Sequence, residues 1–126
     1  MVHDLRFLDF EYSEDDAGNG LFDAMASVWP EQLAALHAEI EAVLGWAHRH
    51  FGSVHGPLDE GGDWDFDLGG LTETSTPQAL AFDPSTQRLT ATPGLPGRPR
   101  HSITLSIGAT PAFCAAFREE FGLDAD

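Results

Sequence analysis

Between Pro30 and Gly52 the chain carries a long stretch with one good conformational solution. Leu33, Leu36, Ile40, Val43, Leu44, Ala47 and Phe51 fall within about 100° of arc at 3.6 residues per turn. Pro30 suits the first turn of a helix, where a missing N–H costs nothing, and Gly52 is expected to end it. A helix with one apolar stripe must bury that stripe against another layer. The segments on either side supply one, because their apolar residues change to a period of two.

Leu8, Phe10 and Tyr12 alternate with Asp9 and Glu11, which predicts a strand over Leu5–Tyr12. Ser13–Gly20 is loop chemistry, and Phe22, Ala24, Ala26 and Val28 alternate again, so 5–28 reads as an antiparallel hairpin. A helix from Leu21 competes, since Ala and Met favour helix. Trp64, Phe66 and Leu68 alternate with Asp63, Asp65 and Asp67 in a third strand, expected to close at Gly69-Gly70. Leu80 and Phe82 lead into a turn at Asp83–Thr86, with a return strand over Arg88–Thr92. Pro93–Arg100 reads as an extended loop, and its overlapping PxxP spacings are explained by that loop. Ile103, Leu105 and Ile107 mark a last strand. Thr110-Pro111 then gives an N-cap and a first-turn proline, Phe113, Phe117 and Phe121 a helical stripe, and Gly122-Leu123 a C-terminal cap. The expected fold is α+β: one domain over 1–126, two layers, a mainly antiparallel sheet of about five strands in the order β-β-α-β-β-β-α, and two helices packed on one face.

Charge limits what such a domain can bind. The chain has 21 acids, six arginines and no lysine, for a net charge of −15. Residues 1–83 hold 17 of the acids and two arginines, whereas 84–118 hold four arginines and no acid. A surface this acidic repels nucleic-acid phosphates and anionic membranes and attracts basic proteins. The longest apolar runs fall far short of the roughly 18 residues needed to span a bilayer. The opening MVHDLRFLDF lacks the basic head and apolar stretch of a secretory signal, and the single Cys114 cannot form an internal disulfide. The expected location is therefore cytoplasmic.

Asp59, Glu60, Asp63, Asp65 and Asp67 place five acids within nine residues. In a calcium loop the sixth and twelfth positions would be Gly and Glu; counted from Asp63 they are Leu68 and Thr74. On a strand, alternate carboxylates stand roughly 7 Å apart along one face, too wide to wrap one ion unaided. His48, His50 and His55 gather near the helix end, and His37 and Glu41 lie one turn apart, without the spacing of a zinc site. Neither a GxSxG elbow nor a phosphate-binding glycine loop is present, and Cys114 lies beside a phenylalanine stripe expected to be core. No catalytic residue, metal ligand or cofactor is assigned. Ala34, Ala38, Ala42 and Gly45, with Trp46 beside them, form a small-residue strip suited to a second packing surface, within the chain or in a homodimer.

These observations lead to the expectation of a small acidic protein-binding domain. An inhibitor or immunity-type protein that engages a basic partner through Asp59, Glu60, Asp63, Asp65 and Asp67 is its concrete form. One alternative is an enzyme or metal-dependent protein that joins the Asp59–Asp67 segment to the helix histidines. Another is a structural homodimer.

Overall fold

The computed structural model describes residues 5–123. Six strands and two α-helices follow one another as β1 (Glu11–Glu14), β2 (Gly20–Val28), α1 (Pro30–Phe51), β3 (Trp64–Glu73), β4 (Gln78–Asp83), β5 (Arg88–Pro93), β6 (Arg100–Ala109) and α2 (Pro111–Glu120). Two 3₁₀ turns, Gly52–Val54 and Leu58–Glu60, link α1 to β3. Four strands form an antiparallel sheet in the order β1-β2-β6-β3, and β4 and β5 pair separately as a two-stranded arm. The fold is α+β, as the periodicities predict, with the expected return strand over Arg88–Thr92 paired to a further strand over Gln78–Asp83 as an arm outside the sheet.

Register explains the layering. Phe22 lies opposite Ile107, which lies opposite Phe66; Ala24, Leu105 and Leu68 form the next row. Side chains in such rows share one face of the sheet, and on this face both helices pack. Leu36, Val43, Trp64, Leu105, Ile107, Phe113 and Phe117 are fully buried there. Trp46 joins the same core, its ring centroid 5.8 Å from Phe113 and from Phe117 and 5.7 Å from Phe121. The Trp64 indole N–H donates to the Phe51 carbonyl at 2.8 Å, tying the start of β3 to the end of α1.

Several local expectations change. Leu5–Phe10 is not a strand: the Glu39 carboxylate accepts the backbone N–H groups of Arg6, Phe7 and Leu8 at 2.7, 3.0 and 2.7 Å, latching this segment to α1. Gly52 has right-handed dihedrals, so α1 tightens into a 3₁₀ turn instead of stopping in a left-handed cap. Thr110 precedes α2 but does not cap it with its side chain, because the hydroxyl donates to the Asp63 carbonyl at 3.2 Å. Gly69 and Gly70 do not close β3, since β6 opposite them supplies a continuous ladder to Glu73. The C-terminal cap of α2 is as expected: Gly122 takes φ 64°, and the Leu123 N–H donates to the Arg118 carbonyl at 2.9 Å.

The arm is rooted by Trp29. The Arg98 and Arg100 guanidinium carbons lie 4.8 and 4.4 Å from its ring centroid. Arg98 also pairs with Glu31, and Arg100 donates to the Ser27 hydroxyl and carbonyl. The two legs between sheet and arm are joined by Gly97 N–H to the Ser75 carbonyl and Gly94 N–H to the Pro77 carbonyl, at 2.6 and 2.8 Å. Beyond this root, every residue of β4, β5 and their connecting turn is exposed.

Candidate functional site

With both helices on one face, the other face of the sheet lacks a helical cover. Alternation places Leu21, Asp23, Met25 and Ser27 of β2 there, with Asp65, Asp67 and Leu71 of β3 and Ser102, Thr104 and Ser106 of β6 between them. Glu11 of β1 lies opposite Asp23 and extends the same face. Leu21, Met25 and Leu71 are exposed on it as isolated apolar points among acids and hydroxyls.

Three shallow hollows tile this surface. One of about 430 Å³ is lined by Asp9, Glu11 and Asp23 with Met25 and Thr104. A second of about 200 Å³ is lined by Asp65 and Asp67 with Leu21, Leu58 and Ser106. The third, of about 600 Å³, takes Glu14, Asp15 and Asp59 around Leu21 and Leu58. Every hollow is thus rimmed by carboxylates, and two share the Leu21–Leu58 floor. Some of these carboxylates are fixed from within the protein. Asp65 Oδ1 accepts from the Phe66 N–H at 2.9 Å and lies 3.0 Å from His55 Nε2, while Asp23 accepts from the Ser106 hydroxyl. Asp15 caps its own loop by accepting from the N–H groups of Ala17 and Asn19, both at 2.9 Å.

The acidic segment is therefore split. Asp65 and Asp67 lie on the helix-free face, opposite in orientation to buried Trp64 and half-buried Phe66. Asp59 reaches the same region from the second 3₁₀ turn. Glu60 is exposed on that turn outside the hollows, and Asp63 precedes β3 with its backbone bonded to Val54 and Thr110. The helix histidines do not converge on the acids. His37 lies beside Glu41 in a separate hollow next to Leu68, His50 donates to the Trp46 carbonyl at 2.9 Å, and the ring of His48 packs on Trp64. Among the described residues, only His55, from the loop after α1, meets a carboxylate of the segment. Among the described residues no three His, Cys, Asp or Glu side chains form a set able to hold a metal ion.

The small-residue strip is divided too. Ala34 and Ala38 are exposed, Ala42 and Gly45 are half-buried, and Trp46 belongs to the core. Trp46 is withdrawn from any exposed packing surface because the phenylalanine stripe of α2 covers it. Cys114 is buried, and burial holds its thiol above the usual range. A side chain at Gly20 would overlap both the Cys114 sulfur and the Tyr12 ring, so glycine is required where β2 passes them. Burial raises the Tyr12 hydroxyl further, helped by its hydrogen bond to Glu14 at 2.9 Å.

Sequence reasoning identified the face of Asp65 and Asp67 and missed its other half. Glu11 and Asp23 join through the sheet order, in which β1 pairs with β2 and β2 and β3 flank β6, and Asp9 joins from the segment that leads into β1. For Glu11 and Asp23, outward placement in an alternating pattern was the available signal. No family model, no curated protein and no solved structure matches the chain. Among the described residues no helix is long and apolar enough to cross a membrane.

Proposed function

We propose that this chain is a protein-binding domain that engages a basic partner on the helix-free face of its sheet, in the manner of an inhibitor or immunity-type protein covering a basic site. One observation carries the reading: the carboxylate-rimmed hollows lie side by side on a sheet face that interleaves acids with exposed Leu21, Met25 and Leu71. Acids on a rigid sheet attract a basic surface at long range, and the apolar points give it something to bury on arrival. The −15 charge of the chain strengthens that attraction.

The test is capture from native lysate by the immobilised protein, followed by binding kinetics on the captured species. Asp59→Asn, Asp65→Asn and Asp67→Asn combined should lower the association rate by roughly tenfold with little change in dissociation, and added salt should do the same. These asparagines keep hydrogen-bonding capacity, so the fold should persist. Association that is indifferent to both salt and the triple change would remove this face from the account.

A further inference from the structure

The arm has one apolar face and nothing on it. In the β4–β5 ladder Leu80 lies opposite Ala91, Phe82 opposite Leu89 and Gln78 opposite Pro93, so these six share a face. The other face carries Ala79, Ala81, Thr90, Thr92, Asp83 and Arg88. Leu80, Phe82 and Leu89 are 63%, 61% and 64% exposed. A lone two-stranded hairpin is marginal in water, and one that turns its apolar face outward needs a cover.

Charge selects the cover. Beyond its root the arm, Gln78–Pro93, holds one acid, Asp83, and one arginine, Arg88, and so carries no net charge in a protein whose net charge is −15. Asp83 is moreover spent on the turn, accepting from the Ser85 N–H and hydroxyl at 3.0 and 2.8 Å. Two copies of the rest of the molecule repel, whereas the uncharged arm is the part of one copy that approaches the acidic body of another without that repulsion. A suitable seat exists on that body: an apolar hollow of about 330 Å³ lined by His37, Ile40, Glu41, Leu68, Gly70 and Ile103, between α1 and the outer strand β3. It lies on the helix side of the sheet, separate from the acidic face.

Area selects the stoichiometry. The apolar face of the arm offers on the order of 400 Å², about half of what one partner contributes to a stable interface. A reciprocal exchange, with each copy giving its arm and receiving another, forms that contact twice and brings the total toward what a stable dimer buries. We infer that β4–β5 is a dimerisation arm, whose apolar face seats in the α1–β3 hollow of a second copy while that copy's arm seats in return.

Sedimentation velocity and light scattering on the whole protein test this. The wild type should run at twice the 13.6 kDa of one chain. Phe82→Asp on the arm and Leu68→Asp in the hollow should each weaken dimerisation by about 30-fold or more. Both positions are exposed, so far-UV circular dichroism should be unchanged. The decisive experiment mixes the two variants: the Leu68→Asp copy keeps a sound arm and the Phe82→Asp copy a sound hollow. A mixture that forms heterodimers more readily than either variant forms homodimers supports arm-in-hollow exchange. No gain on mixing overturns it, because arms packed on each other could not be rescued this way. A wild type that stays monomeric at 100 μM, on the order of ordinary assay concentrations, also overturns it, including when the arm captures a different protein. None of these readings depends on the acidic face.

Discussion

Glu39 shows how much one side chain can organise. Its carboxylate takes three consecutive N–H groups, from Arg6, Phe7 and Leu8, and thereby seats Leu8 in the core at 3% exposure. Hydrogen bonds to an ionised acceptor are stronger than neutral ones, and the amides would otherwise face a helix surface that cannot serve them. Glu39→Ala should therefore cost about 1.5–3 kcal/mol in urea unfolding. Hydrogen exchange at the amides of Phe7 and Leu8 should accelerate well beyond any change in β2 and β6. If those two amides keep their protection in the variant, the latch is misassigned. Nothing in the alternation of Leu8, Phe10 and Tyr12 could have shown this, since the acceptor lies more than 30 residues away. Thr110 carries the same lesson: its hydroxyl serves the Asp63 carbonyl, and that partner arrives only with the tertiary fold.

At the scale of elements, legibility followed periodicity. α1 was readable to the residue because six turns of spacing end at a proline on one side, whereas the alternation of β2 left a helix from Leu21 in competition until its pairing with β6 decided for the strand. β3 was readable only to Leu68, since Gly69 and Gly70 carry no side-chain pattern and their strand conformation comes from β6. The arm was read as a turn after Leu80 and Phe82 with a return strand over Arg88–Thr92, and no local signal says that a hairpin stands apart from its sheet. Its tip offers a separate test. Gln87 has φ 57°, a left-handed conformation that disfavours a side chain, and its N–H donates to the Asp83 carbonyl at 2.7 Å. Gln87→Gly should relieve that strain and stabilise the arm by about 0.5–1 kcal/mol. Because the arm can open without the core, slower hydrogen exchange should be confined to β4 and β5. Slower exchange throughout the main sheet would show that the arm and core unfold as one unit.

For the whole molecule, the acidic composition suggests fragility in acid, yet the groups most displaced by folding point the other way. Asp83 and Glu31 are held below the usual carboxylate range, the first by Ser85 and the second by Arg98, but both are exposed and screened. Cys114 is buried and Tyr12 is half-buried beside it, and desolvation raises both. Each is neutral when protonated, so folding favours the protonated form. The stability this represents is complete below the unfolded values, about 8.5 for a thiol and about 10 for a phenol, and is lost as pH rises through the higher folded ones. The thermal midpoint should therefore change little between about pH 7 and 8 and fall above about pH 9. Cys114→Ala should flatten the first part of that fall and Tyr12→Phe the later part, whatever each substitution costs at neutral pH. Added salt should raise the midpoint by screening the −15 charge while leaving the alkaline slope in place. An equally steep fall in the double variant would mean that the alkaline loss comes from general repulsion among the acids and not from the cluster where Tyr12 and Cys114 close over Gly20.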